Sequence, residues 1–114
     1  LEQGFTWRSV SAGDEHTAAI DSVGQLYLWG GGETVSSGMP MDLTWQSVAA
    51  GAFHTVGIDH GGRLHAWGDN STGQVSNIPE LEQGFTWRSV SAGDEHTAAI
   101  DSVGQLYLWG GGET

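Results

Sequence analysis

The sequence contains no cysteine and no lysine. The first absence excludes disulfides and thiolate metal sites, and leaves the redox compartment unreadable. The second leaves only Arg8, Arg63 and Arg88 against fourteen Asp and Glu, a formal net charge of −11. Phosphate contacts are made mainly by clusters of Lys and Arg, so a nucleic-acid partner is not expected. Polybasic contact with a membrane is not expected either. No stretch approaches the roughly 20 apolar residues of a membrane span, and the opening Leu-Glu-Gln-Gly lacks the pattern of a signal peptide. A sustained 3.6-residue period is missing as well, and nineteen glycines disfavour helices. Missing lysine and an acidic balance point towards an extracellular or saline origin.

What is present is repetition. Leu1–Thr34 recurs without one change at Leu81–Thr114, 80 positions later. A divergent relative lies between the copies: Trp7-Arg8-Ser9-Val10-Ser11-Ala12-Gly13 aligns with Trp45-Gln46-Ser47-Val48-Ala49-Ala50-Gly51. His16–Asp21 aligns with His54–Asp59, and Leu26–Gly30 with Leu64–Gly68. The steps from Trp7 to Trp45 and from Trp45 to Trp87 are 38 and 42 residues. The 114 residues, enough for one small domain, therefore hold nearly three units, about 1–42, 43–80 and 81–114. A perfect copy of this length means a very recent duplication, a designed sequence or a slice of a longer repetitive array.

All six tryptophans keep this register: Trp7, Trp45 and Trp87 open a unit, and Trp29, Trp67 and Trp109 close its central block. Their expected role is packing between neighbouring units, where each indole can bury roughly 150–250 Å². Within a unit, Trp7–Ser11, His16–Ile20 and Gln25–Trp29 are short runs bounded by Gly and Asp, which reads as antiparallel strands. The second and third runs are apolar or small on both faces, as in a sheet covered on both sides. The return segments leave room for a short fourth strand near Glu33–Ser37 and Gln74–Asn77. The expected fold class is all-β, with blades of three to four antiparallel strands, about three per chain, in a β-propeller.

At this point the residues resemble a family. Trp-x-x-Val-x-Ala-Gly-x-x-His-Thr followed by Ile-Asp-x-x-Gly-x-Leu-x-x-Trp-Gly is similar to the repeat of the regulator of chromosome condensation. The middle unit is the fullest match, from Trp45 to Asp59 and on through Gly62 to Gln74. The short period resembles the bacterial branch, which includes a secreted β-lactamase inhibitor protein. In the first unit Trp29-Gly30-Gly31-Gly32-Glu33-Thr34 departs from the pattern, and only Asp69–Gln74 keeps its turn. The resemblance implies a propeller of about seven blades that binds proteins through its loop rims.

Three units cannot close a ring, since propellers close with roughly 4–8 blades. An open stack leaves two blade faces and its strand edges bare. The chain is therefore expected to self-associate, with a dimer of six blades favoured, or to belong to a longer array. The contact would be head-to-tail.

His16, His54 and His96 recur with the repeat, so their expected role is structural, bonding backbone near the next blade. Asp14, Glu15, Asp94 and Glu95 precede two of them and read as acidic rim surface rather than a metal site. Together with Phe53 they form one candidate binding rim; Met39 and Met41 lie on the other. Such an anionic rim would steer a cationic partner. Asp69-Asn70-Ser71-Thr72-Gly73 lacks the ligand set of a calcium loop and reads as a turn. Gly30-Gly31-Gly32 is not followed by the Lys and helix of a phosphate cradle. No Gly-x-Ser-x-Gly elbow is present, and catalysis needs a unique convergent set while these residues repeat.

The expectation is a non-enzymatic scaffold without cofactor or metal, binding itself and potentially another protein. The bacterial relatives imply inhibition of a secreted hydrolase as an alternative. The family name implies nucleotide exchange or chromatin binding, which a chain without lysine or a basic tail fits less well.

Overall fold

Every unit folds as one three-stranded sheet. The computed structural model describes residues 4, 6–13, 16–30, 40, 42–52, 54–68, 75–76, 78–81, 83–93 and 96–110. In the first sheet β1 (Trp7–Ala12), β2 (His16–Asp21) and β3 (Leu26–Gly30) pair in sequence order, antiparallel. The second sheet is β4 (Trp45–Ala50), β5 (His54–Asp59) and β6 (Leu64–Gly68). The third is β7 (Trp87–Ala92), β8 (His96–Asp101) and β9 (Leu106–Gly110). The described residues contain no helix.

The strand ends differ by about one residue from those the punctuation predicts, and the turn chemistry explains why. Asp21 pairs with Trp7 and so extends β2. Its Oδ1 accepts from the amides of Val23 at 3.0 Å and Gln25 at 2.9 Å, which holds Gln25 in the turn rather than in β3. Asp59 and Asp101 repeat this arrangement. The turn closes on Gly24, Gly62 or Gly104, each with φ between 84° and 94°, a region that an L side chain rarely adopts.

A bulge at the start of each sheet sets which residues share a face. Trp7 pairs with Asp21, but Ser9 pairs with Ile20, so Arg8 is an extra residue on β1. The register shifts likewise at Gln46 and Arg88. In an unbroken strand residues three apart point to opposite faces. Here the extra residue restores them to one face: Trp45 and Val48 enter the same apolar cluster, and Val90 packs on the cluster that holds Trp87.

Of the expected fourth strand, Val75 and Ser76 form a turn instead. Glu33–Ser37, Gln74 and Asn77 lie outside the described residues. Each described sheet ends at its third strand.

Successive sheets stack, with β1 and β2 facing β4, and β4 and β5 facing β7. The core accordingly lies between blades rather than within them. One cluster joins Ala18 and Ile20 of the first blade to Trp45, Val48 and Trp67 of the second. The other joins Ile58 of the second blade to Trp87, Ala99 and Trp109 of the third.

Candidate functional site

Strand alternation gives each blade two unlike faces. One face, termed here the indole face, carries Trp7, Val10, Tyr27 and Trp29 in the first blade and the equivalent residues in the others. The opposite, aliphatic face carries Ala18, Ile20, Leu26 and Leu28. Cross-strand pairing fixes the division: Ala19 sits opposite Tyr27 and Thr17 opposite Trp29, while Ile20 sits opposite Leu26 and Ala18 opposite Leu28. At each junction the aliphatic face of one blade receives the indole face of the next.

The two indoles of a blade are packed on one another and on a third ring. Trp45 lies 5.6 Å from Trp67 and meets the His65 ring edge-on at 5.3 Å. Trp87 lies 6.1 Å from Trp109 and meets Tyr107 at 5.1 Å. The same group occurs in the first blade, with Trp7 6.4 Å from Trp29 and 5.1 Å from Tyr27.

Exposure separates the six indoles. Trp45 and Trp67 are each 1% exposed, Trp87 6% and Trp109 5%, whereas Trp7 is 48% and Trp29 53% exposed. Among the described residues no blade stands against the indole face of the first, which leaves Trp7 and Trp29 about half exposed. On the far side of the stack, Leu106 and Leu108 of the third blade are 63% and 48% exposed. Their counterparts Leu26 and Leu28 pack against the cluster of Trp45.

Polar bonds fix the junctions. His16 Nε2 is hydrogen-bonded to Thr55 Oγ1 at 2.9 Å, and His54 Nε2 to Thr97 Oγ1 at 3.2 Å. His16 and His54 thus bond a hydroxyl of the next blade, where the sequence led us to expect a bond to its backbone. Sequence reading passed over Thr55 and Thr97, though a Thr follows the histidine in every unit. The Trp45 amide donates to Gly24 O at 2.8 Å and the Trp87 amide to Gly62 O at 2.9 Å. Arg8 Nη2 donates to Trp45 O, and the Ala50 amide donates to Ser11 Oγ at 3.0 Å. His96 stands on the aliphatic face of the third blade, and no described residue of another blade packs on that face.

Burial lowers the pKa of His16, which keeps the ring neutral. For Asp21 burial acts in the opposite direction and raises the pKa, but bonds from the Gln25 amide and the Tyr27 hydroxyl, with those from Val23 and Gly24, outweigh it and hold the carboxyl below its usual 3.8. Asp101 is held down in the same way, with Tyr107 as the side-chain donor. At Asp59 burial is again opposed, here by His65 at 2.9 Å and by the Arg63 and Gly61 amides.

The candidate rim residues Asp14, Glu15, Asp94, Glu95, Phe53, Met39 and Met41 all lie outside the described residues, as does Asp69–Gln74. Among the described residues no group of three or more His, Asp or Glu is placed to hold a metal ion.

Residues 45–74 match the family model of the regulator of chromosome condensation (RCC1) repeat. The middle unit is thus similar to an RCC1 repeat. Solved structures agree on its fold. The CRINKLY WD40 ectodomain of the receptor kinase ACR4 from Arabidopsis thaliana is 26% identical, with a TM-score of 0.74, over 95% of this chain and 38% of that one. The ectodomain of the receptor kinase CR4 from Physcomitrella patens is 24% identical, with a TM-score of 0.74, over 96% and 31%. Prp20p from Saccharomyces cerevisiae is 21% identical, with a TM-score of 0.78, over 96% and 32%. The chain thus spans about a third of the solved structures that it matches. No curated protein matches it. Structures of Prp20 include one of Kap60 bound to it, and its binding to Gsp1p and histones is described.

Proposed function

We propose that the chain is a non-enzymatic RCC1-type β-propeller scaffold that binds protein and self-associates to complete its ring. The observation that carries this reading is the pair of bare blade faces, one with Trp7 and Trp29 about half exposed, the other with Leu106 and Leu108. Isolated soluble domains rarely leave contiguous apolar faces open, and such faces mark association surfaces. Two copies supply six blades, within the roughly 4–8 that close a propeller, while three copies supply nine. The protein partners of Prp20 support a binding role for RCC1-type blades in general.

The non-catalytic part of the reading rests on repetition. The His, Thr and Asp residues that converge here do so at successive blade junctions and turns, where they bond one another or backbone. Such repetition differs from the single convergent set that catalysis needs. Sedimentation equilibrium across micromolar concentrations tests the proposal. A mass of twice the chain is expected; a compact monomer throughout would refute ring completion.

A further inference from the structure

We propose that a second copy docks head-to-tail, the aliphatic face of its third blade receiving the indole face of the first blade of its partner, through the bonds already made between blades one and two. This rests on the self-association reading and specifies its polarity and its atoms.

The argument starts from identity. Residues 81–114 copy residues 1–34, so the third blade presents the same aliphatic face that the first blade uses. On the first blade that face seats Trp45, Val48 and Trp67 against Ala18, Ile20 and Leu26. On the third blade a hollow of about 150 Å³ lies open at the equivalent place, lined by Ser91, Ala98, Ile100 and Leu106 among others. It is an apolar socket whose knob is missing.

The indole face of the first blade is the matching knob. Its Trp7, Val10, Tyr27 and Trp29 copy Trp87, Val90, Tyr107 and Trp109, which dock on the second blade. Val10 is 69% exposed, while Val48 in the same register is 7%.

The polar bonds sort the junctions further. Between blades one and two the aliphatic side contributes Gly24 O, Arg8 Nη2, Ser11 Oγ and His16 Nε2. The second blade carries Gln46 and Ala49 in place of Arg8 and Ser11, so it cannot offer the whole set. The third blade carries all of it again, as Gly104, Arg88, Ser91 and His96. The receiving side needs only the Trp7 amide and carbonyl, the Ala12 amide and the Thr17 hydroxyl, which every unit possesses. Gly24 and Gly62, covered by the next blade, are buried, and a Cβ on Gly24 would meet Thr44 and on Gly62 would meet Thr86. Gly104 is exposed, and among the described residues the Arg88 guanidinium alone comes near that position. An added copy would place Thr6 there.

Packing at the new junction stays within one methylene of a junction already present. The second blade offers the cross-strand pair Val56 and Ala66 to an indole face with Tyr107, and the third offers Ala98 and Leu108 to one with Tyr27.

Single-face variants test the polarity. Leu106→Glu spoils the aliphatic socket and Val10→Glu the indole knob; both positions are exposed in the single chain, so its strands should survive, as far-UV circular dichroism checks. If either Glu variant loses its β signal, Leu106→Thr and Val10→Thr replace the pair. Each variant alone should sediment as a monomer where the unaltered chain is a dimer, with its dissociation constant raised about tenfold or more by a charge placed in an apolar junction. An equimolar mixture should recover a species of twice the chain mass, because one socket and one knob remain intact. Dimerisation of Val10→Glu alone would mean that aliphatic faces pair with each other. Dimerisation of Leu106→Glu alone would mean the same for indole faces. Either result, or a mixture that stays monomeric, overturns the head-to-tail junction while leaving self-association standing. An unaltered chain that is monomeric at every concentration removes both.

Discussion

His16 Nε2 and Thr55 Oγ1 stand 2.9 Å apart, in blades whose sequence positions differ by 39. This bond is buried, and the other ring nitrogen of His16 finds no partner among the described residues. Thr55→Val keeps the shape and strands the imidazole, so it should cost about 1–3 kcal/mol of folding stability. Urea denaturation measures it. A loss within experimental error would show that the contact contributes nothing beyond packing.

Acid should weaken the fold in two stages. The folded pKa of His16 is lowered from 6.5 by burial, so its contribution to stability is complete above 6.5 and is lost as the pH falls through the folded value. Asp21, Asp59 and Asp101 have folded pKa values lowered from 3.8, so their contribution is complete above 3.8 and is lost as the pH falls through their folded values. The denaturation midpoint should therefore be flat above 6.5, decline below it, and fall further below 3.8. His16→Gln should lessen the first decline and keep the second. A midpoint that rises on acidification through 6.5 contradicts the assignment.

At Gly51 blades two and three approach each other tightly. A Cβ there would meet the carbonyl oxygen of Gly93 as well as the ring of His54. At Gly93 the nearest atoms that it would meet all belong to the ring of His96. Both Ala substitutions crowd a histidine, but only Gly51→Ala drives into a main chain that cannot rotate away. Its cost should be the larger of the two, at about 1–3 kcal/mol or above. Thermal unfolding of the two variants at one concentration decides the order.

Equivalent tryptophans should behave unequally. Trp67 is fully buried between blades, and Trp67→Ala should cost about 3–5 kcal/mol at any protein concentration. Trp29 occupies the same place in its unit but is 53% exposed. Trp29→Ala should cost well under half as much in dilute solution, and its effect should grow with concentration as association buries the site. Equal, concentration-independent losses would argue against an open indole face.

Much of this architecture was legible in the residues. The identical blocks, the spacing of the tryptophans and the Gly and Asp punctuation locate the three strands described in each unit, and the composition on both strand faces announces sheets covered from both sides. Those signals are local or periodic, so a linear reading captures them. The fourth strand was misjudged at Val75 and Ser76, where length alone was the argument and the chain turns instead. The histidine's partner was missed because the hydroxyl it bonds lies a whole unit away.

Sequence alone therefore settled the repeat, the blade and the predominance of tryptophan, because each follows from spacing and side-chain size. Tertiary structure decided which faces those side chains share. A single extra residue at Arg8, Gln46 and Arg88 brings Trp and Val, three apart, to the same side of the sheet. It also decided that identical indoles differ in exposure, since burial depends on whether another blade stands opposite, and that neighbour is supplied by packing rather than by the residue itself.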